Sequence, residues 1–132
     1  MSKKYIAEFI GTFTLSFIVL LAVSFSGNLP LAVPLIASLT LALFVYTIGP
    51  FSGCHINPAV TLGQLAVDKI SRPEAINYII AQLLGGAGAL FVAKMFVVTI
   101  ALSGGDFSIL VFLAEMLGAF LFNFGIAAVV YG

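Results

Sequence analysis

"SGCHINPAV", residues 52–60, sets histidine, asparagine and proline side by side between two long apolar runs. The chain around it has 132 residues, of which 62% are hydrophobic and only 8% charged. Soluble domains carry about 25% charged residues, because a water-facing surface needs them. Five basic residues, five acidic residues and one histidine cannot coat a globule of this size. The chain therefore reads as an integral membrane protein. Its most polar cluster then stands at a depth where a lipid-facing helix has no use for it.

Four stretches around the cluster are long and apolar enough to cross a bilayer: about 5–26, 31–50, 74–101 and 107–131. A hydrocarbon core of about 30 Å takes roughly 20 residues of helix. Lys3 and Lys4 open the chain as a signal peptide would, but the apolar stretch that follows is too long and contains Glu8. Pro30 and Pro34 mark the start of the second span, where a missing N–H costs least. "SRPEA" (71–75) opens the third, with Ser71 as cap, Pro73 in the first turn and Glu74 near the positive helix end.

Between the second and third spans, "NPAVTLGQLAV" (57–67) has helical character but is too short to cross. Asn57 can cap a helix whose first residue is Pro58. Residues of about 58–67 thus read as a re-entrant half-helix, tolerated at membrane depth only when buried in protein or lining a watery cavity. The expected architecture is a single all-α membrane domain over 1–132, with four transmembrane helices and one half-helix.

Charge supplies orientation. Lys3 and Lys4 flank the first span, and Lys69 and Arg72 precede the third, whereas 26–30 is uncharged and 102–106 holds only Asp106. The positive-inside rule puts the N-terminus and the 68–72 connection in the cytoplasm. Lys94 breaks the pattern and is expected to snorkel outward. A net charge of zero without a basic patch excludes nucleic acid as partner. The single cysteine, Cys54, excludes an intramolecular disulfide and is too little for a structural zinc site. The sequence calls for no metal and no cofactor.

A repeat is visible as well. "AEFIGTF" (7–13) and "AEMLGAF" (114–120) share Ala, Glu, Gly and Phe at an offset of 107 residues. Three spans separate the copies, so the second enters the membrane from the opposite side. Inverted repeats of this kind characterise channels and transporters with a site near the midplane. Ala7/Gly11 and Ala114/Gly118 also form small-xxx-small pairs suited to helix packing.

"AEFIGTF", "SGCHINPAVTLG" and "YIIAQLLGG", in that order, resemble the first half of the aquaporin and glycerol-facilitator (major intrinsic protein) family. The asparagine-proline-alanine motif within S-G-x-H-x-N-P-A-V-T carries most of the specificity. The resemblance covers essentially the whole chain and includes the family's fourth span, beginning at "AEMLGAF". The family has six spans and two such motifs; by the repeat offset, the second would fall near position 164. The chain therefore reads as the N-terminal part of a longer channel, or else as a natural half that must pair. Two copies of a half would have to insert in opposite directions, yet Lys3, Lys4, Lys69 and Arg72 specify one, so the 132 residues alone are not expected to conduct.

The resemblance implies passive conduction of water, with small neutral solutes such as glycerol as further candidates. The half-helix directs the positive end of its dipole to the membrane centre, where a second half-helix meets it. Asn57, Pro58 and Ala59 line the pore there, Asn57 donating to the oxygen of the passing molecule. Gly53, Cys54 and His55 line it through extended backbone whose carbonyls replace lost hydration. Glu8, Glu115 and Gln82 support the pore loop, the glutamates by accepting hydrogen bonds from its N–H groups. Cys54 is expected at or just behind the lumen, where a mercurial would block flux.

Ala37 and Leu41 fall in the selectivity region: a position held by an aromatic in water-selective members, twenty residues before the asparagine, is Ala37 here, and Leu41 lies one turn on. Neither narrows a pore as an aromatic does, so solute choice stays open. The remaining partners implied are the lipid bilayer, the missing second half or a second copy, and a homotetramer in the plasma membrane. Two other functions compete. An ion-coupled transporter would need midplane carboxylates, for which Glu8 and Glu115 are the candidates, and a membrane scaffold would pass nothing. An enzyme is disfavoured, since "FSGC" and "SGGD" offer serines without a neighbouring base.

Overall fold

In a computed structural model of the chain, residues 3–25, 32–96 and 108–131 are described. They form α1 (Lys3–Phe25), α2 (Ala32–Ser52), α3 (Pro58–Ala66), α4 (Arg72–Phe96) and α5 (Ile109–Tyr131), with no strand among the described residues. Four of the five helices, α3 being the exception, are long and apolar enough to cross a membrane. At 1.5 Å per residue, the 23 residues of α1 reach about 34 Å and the nine of α3 only about 14 Å, less than half a bilayer. Pro30, Asp106 and residues 97–101 of the expected third span lie outside the described residues.

α2 continues past its expected end at Pro50 to Ser52. Proline usually drives the residue before it out of helical geometry by a clash with that residue's Cβ. Here that residue is Gly49, which has no Cβ, and the Gly53 N–H closes the last turn on the Gly49 carbonyl at 2.8 Å.

α1 and α4 lie side by side and point the same way. Lys4 pairs with Glu74, Tyr5 stands edge-on to Tyr78 with ring centroids 5.9 Å apart, and Phe17 meets Phe96 further along. Between these contacts Gly85 presses against the α1 backbone: a Cβ there would stand 2.6 Å from the Phe9 carbonyl oxygen. Small residues that let two backbones meet are the usual seam of membrane helices. α2 runs opposite to α1, its Ile48 near Gly11 and its Ser52 bonded to Glu8. Lys4, Lys69 and Arg72 therefore gather at one end of the bundle, and Lys94 is exposed near the far end of α4.

Depth along α4 locates the half-helix. Gln82 lies ten residues beyond Arg72, about 15 Å along the helix and so near the middle of a 30 Å core. The Gln82 amide reaches Thr61 in the first turn of α3. α3 thus starts at mid-depth and descends to the charged end, where Asp68 and Lys69 close it with backbone bonds to Leu65 and Gln64. α5 touches this assembly through α3, while most of its apolar side chains, and many of those on α2, stay exposed.

Candidate functional site

Residues 53–57, between α2 and α3, have no regular structure apart from a bend at Asn57. Three consecutive N–H groups in this loop, those of Cys54, His55 and Ile56, turn inward, away from any helix ladder. A buried N–H left without an acceptor is costly. Glu8 of α1 supplies most of the answer. Its Oε1 accepts from His55 N at 3.0 Å and from Ser52 Oγ at 2.6 Å; its Oε2 accepts from Ile56 N at 2.6 Å and from Gln82 Nε2 at 2.7 Å. Ser52 Oγ in turn accepts from Cys54 N at 3.1 Å. One fully buried carboxyl group thereby ties the loop to α1, α2 and α4 together.

That anchoring holds an unusual backbone. Gly53 has φ 79°, Cys54 φ 50° and Ile56 φ 37°. Glycine accepts the left-handed region freely, but a β-branched residue there is a genuine outlier. Such conformations persist where the surroundings over-determine them and cluster at functional sites. At Ile56 the determinant is visible, since its N–H is bound by Glu8. Gly53 is half-buried, whereas Cys54, His55 and Ile56 are buried, so within this stretch the Gly53 backbone is the part that stays open.

The start of α3 is built as a cap. Asn57, in extended geometry, accepts from Ala59 N through Oδ1 at 2.8 Å, and Pro58 takes the first helical position, where no N–H is needed. The carboxamide is thereby oriented with its NH2 unspent, and both Asn57 and Ala59 are exposed, with Pro58 and Gly53 half-buried. Behind the cap, Thr61 Oγ1 accepts from Gln82 Nε2 at 2.9 Å and lies 3.1 Å from His55 Nδ1 and 3.2 Å from the Asn57 carbonyl oxygen. The His55 ring is fully buried, edge-on to Tyr78 at 5.1 Å. Tyr78 Oη completes the frame by donating to the Ser52 carbonyl at 2.9 Å.

The structure therefore brings Glu8, Gln82, His55 and the Asn57 cap into one network. It leaves others apart. Glu115 is exposed on α5 and makes no hydrogen bond to the loop among the described residues; its neighbours Ala114 and Gly118 are exposed too, unlike Ala7 and Gly11. The Cys54 thiol is fully buried. Leu41 lines an apolar groove of about 800 Å³ between α2 and α5, together with Ser38, Val45, Tyr46 and Val129. Ala37, one turn earlier, is half-buried and is not part of that lining.

Ser52, Thr61 and Tyr78 go unassigned in the sequence reading. The first and last polar residues of the quoted motif are Ser52 and Thr61, and Tyr78 lies four residues before Gln82 on the same helix face. Asn123 is a further omission. It donates through Nδ2 to the Ala59 carbonyl at 3.4 Å and to Ala119 at 3.1 Å. Its signal was its isolation, a lone amide in apolar "LFNFGIAA" (121–128).

Comparison with known proteins agrees over most of the chain. The family model described as "Major intrinsic protein" matches residues 1–131. A glycerol uptake facilitator protein-like 6 from Lactiplantibacillus plantarum is 39% identical over 129 residues, which cover 91% of this chain and 60% of that protein. Aquaporin AqpM from Methanothermobacter thermautotrophicus is 38% identical over 114 residues, 70% of this chain and 46% of the relative. Aquaporin Z from Rhodopseudomonas palustris is 36% identical over 111 residues, 80% and 45% respectively. The chain spans about half the length of the curated relatives it matches.

Proposed function

The chain belongs to the major intrinsic protein family, and on that premise we propose that it supplies the Asn57-Pro58-Ala59 half of a passive channel for water, with small neutral solutes such as glycerol as further substrates. The observation that carries this reading is the capped N-terminus of α3 at mid-membrane depth. Asn57 Oδ1 is engaged by Ala59 N, so the exposed carboxamide offers a guest its unspent NH2 as donor. A water that accepts there points its own hydrogens away, which breaks a proton-hopping wire. The positive end of the α3 dipole repels cations at the same point. The carbonyl of the half-buried Gly53 would serve as an acceptor along the approach. No covalent step is involved.

On this reading the end holding Lys4, Lys69 and Arg72 is cytoplasmic, the membrane is the plasma membrane, and a second half with its own motif completes the pore within a homotetramer. Glu115 would then support that second half as Glu8 supports the first. The test is stopped-flow permeability of the complete purified protein in proteoliposomes, for water and for glycerol. Flux well above the lipid background, dissipating gradients and never building them, is expected. Background flux would favour a scaffold, and solute accumulation driven by an ion gradient an ion-coupled transporter.

A further inference from the structure

The first turn of α3 is held from two opposite sides. Ala59 and Gly63 are four residues apart and share one face of the helix, whereas Thr61 lies about 200° around from Ala59. On the Thr61 side stands the Gln82 amide of α4, at 2.9 Å. On the other stands the half-buried Asn123 of α5. Its NH2 has two N–H groups, and two carbonyls lie within reach: Ala119 in its own helix at 3.1 Å and Ala59 across the gap at 3.4 Å. A flipped amide would set its oxygen against both, so the orientation is determined. The amide sits against Gly63, its Cγ 2.7 Å from the point a β-carbon would occupy. Glycine at 63 is therefore what lets α5 come this close.

Polar side chains inside a membrane are costly and are kept where they do something. The Ala119 carbonyl alone would satisfy one N–H of Asn123; the other is spent on α3. Ala59 is bonded on both sides, its N–H to Asn57 Oδ1 at 2.8 Å and its carbonyl to Asn123. We infer that Asn123 is a positioning residue for the pore motif. Through Ala59 it fixes the rotation of the first turn of α3, and so the direction in which the Asn57 carboxamide presents its NH2. Asn123 belongs to the helix that opens the second copy of the repeat, so one contact sets the motif of the first copy against the second. The consequence for flux rests on the channel reading; the contact and its hold on α3 do not.

Hydrogen exchange of the complete protein in lipid nanodiscs tests the hold. Asn123→Leu keeps the branched outline and removes both N–H groups. Exchange of the amides of residues 59–66 is expected to rise about two- to tenfold, the worth of one hydrogen bond. Exchange at the wild-type rate overturns the inference. Water flux per inserted molecule should fall as well, and full flux would overturn the positioning role. A wild-type protein with background flux would instead defeat the channel reading, and exchange alone would then decide.

Gly63→Ala combined with Asn123→Ala separates position from packing. Gly63→Ala alone evicts the amide and should loosen α3 as Asn123→Leu does. In the double variant the new methyl group takes the vacated place. The thermal midpoint should then recover while exchange stays fast and flux stays low. Recovery of all three would make Asn123 a space filler, and additive losses would mean that its amide is not seated on Gly63. Either result overturns the inference.

Discussion

Glu8 and Gln82 stand 74 positions apart in sequence and share a hydrogen bond of 2.7 Å in the bundle interior. That contact couples the two parallel helices α1 and α4 at the level where the loop of residues 53–57 hangs between them. Each partner has further bonds that the other does not make: Glu8 holds the N–H groups of His55 and Ile56, and Gln82 holds Thr61. The pair is therefore a common bracket for the loop and for the first turn of α3. Its removal should be felt at both.

Replacing Glu8 with glutamine keeps the volume but halves the acceptor capacity. At least one of the four donors now on the carboxyl group is stranded, at about 1–3 kcal/mol for each buried group. We expect the complete protein to unfold at lower temperature in detergent and to lose most of its flux at equal surface density. Melting and permeability both at the wild-type level would show that the bracket is dispensable.

Asn57→Ala removes a cap worth about 1 kcal/mol and, with it, the donor at the start of α3. The other contacts of the loop are untouched, so folding should suffer little. Flux per inserted molecule should drop, measured by stopped-flow after quantifying protein in the vesicles. Retention of full flux would take Asn57 out of the conduction mechanism.

Gly85→Ala probes the α1–α4 seam. The added methyl group meets the Phe9 carbonyl oxygen at 2.6 Å, and backbone on backbone cannot yield as a side-chain tip can. Overpacking of this kind costs about 1–3 kcal/mol. Gly86→Ala is the control, since its nearest new neighbour is Ser16 Oγ at 3.9 Å. The expected result is a lower thermal midpoint for the first and a level or higher one for the second. Equal midpoints would mean that the helices can separate at no cost.

Cys54 is the only cysteine in the sequence, and its side chain is fully buried. Thiol chemistry needs access as well as thiolate. A soluble maleimide or small mercurial should therefore react slowly with the folded protein and rapidly once it is denatured, followed by mass spectrometry. Rapid labelling of the native state would show that the thiol opens to a water-filled path.

The spans and the half-helix are legible in the sequence because each rests on local physics: apolar length, proline placement, and a capping asparagine. α3 begins at Pro58 for reasons confined to residues 57–61. The bonds that shape the loop are of another kind. Glu8 lies 47 positions from His55, and nothing in the spacing of either residue points to the other; only the family resemblance suggests the pairing. Ser52, Thr61 and Tyr78 are harder still, since a hydroxyl in an apolar helix can bond its own helix, as Thr40 and Thr47 of α2 do with the carbonyls of Ile36 and Leu43. Asn123 carries a plain signal, polarity inside a membrane, but its bond to the Ala59 carbonyl depends on how α5 crosses α3.

The bracket of α1 and α4 around the loop also has a meaning in time. Synthesis runs from the N-terminus, so Glu8 is made first, the loop next, and Tyr78 and Gln82 last. When residues 53–57 leave the ribosome, half of their eventual holders do not yet exist. The Ser52 carbonyl must then wait for Tyr78, and Glu8 and Thr61 for the Gln82 amide, until the third long helix arrives. Insertion of α4 is thus the step that completes the frame, and a nascent chain halted before Gln82 would carry the motif without that support from behind.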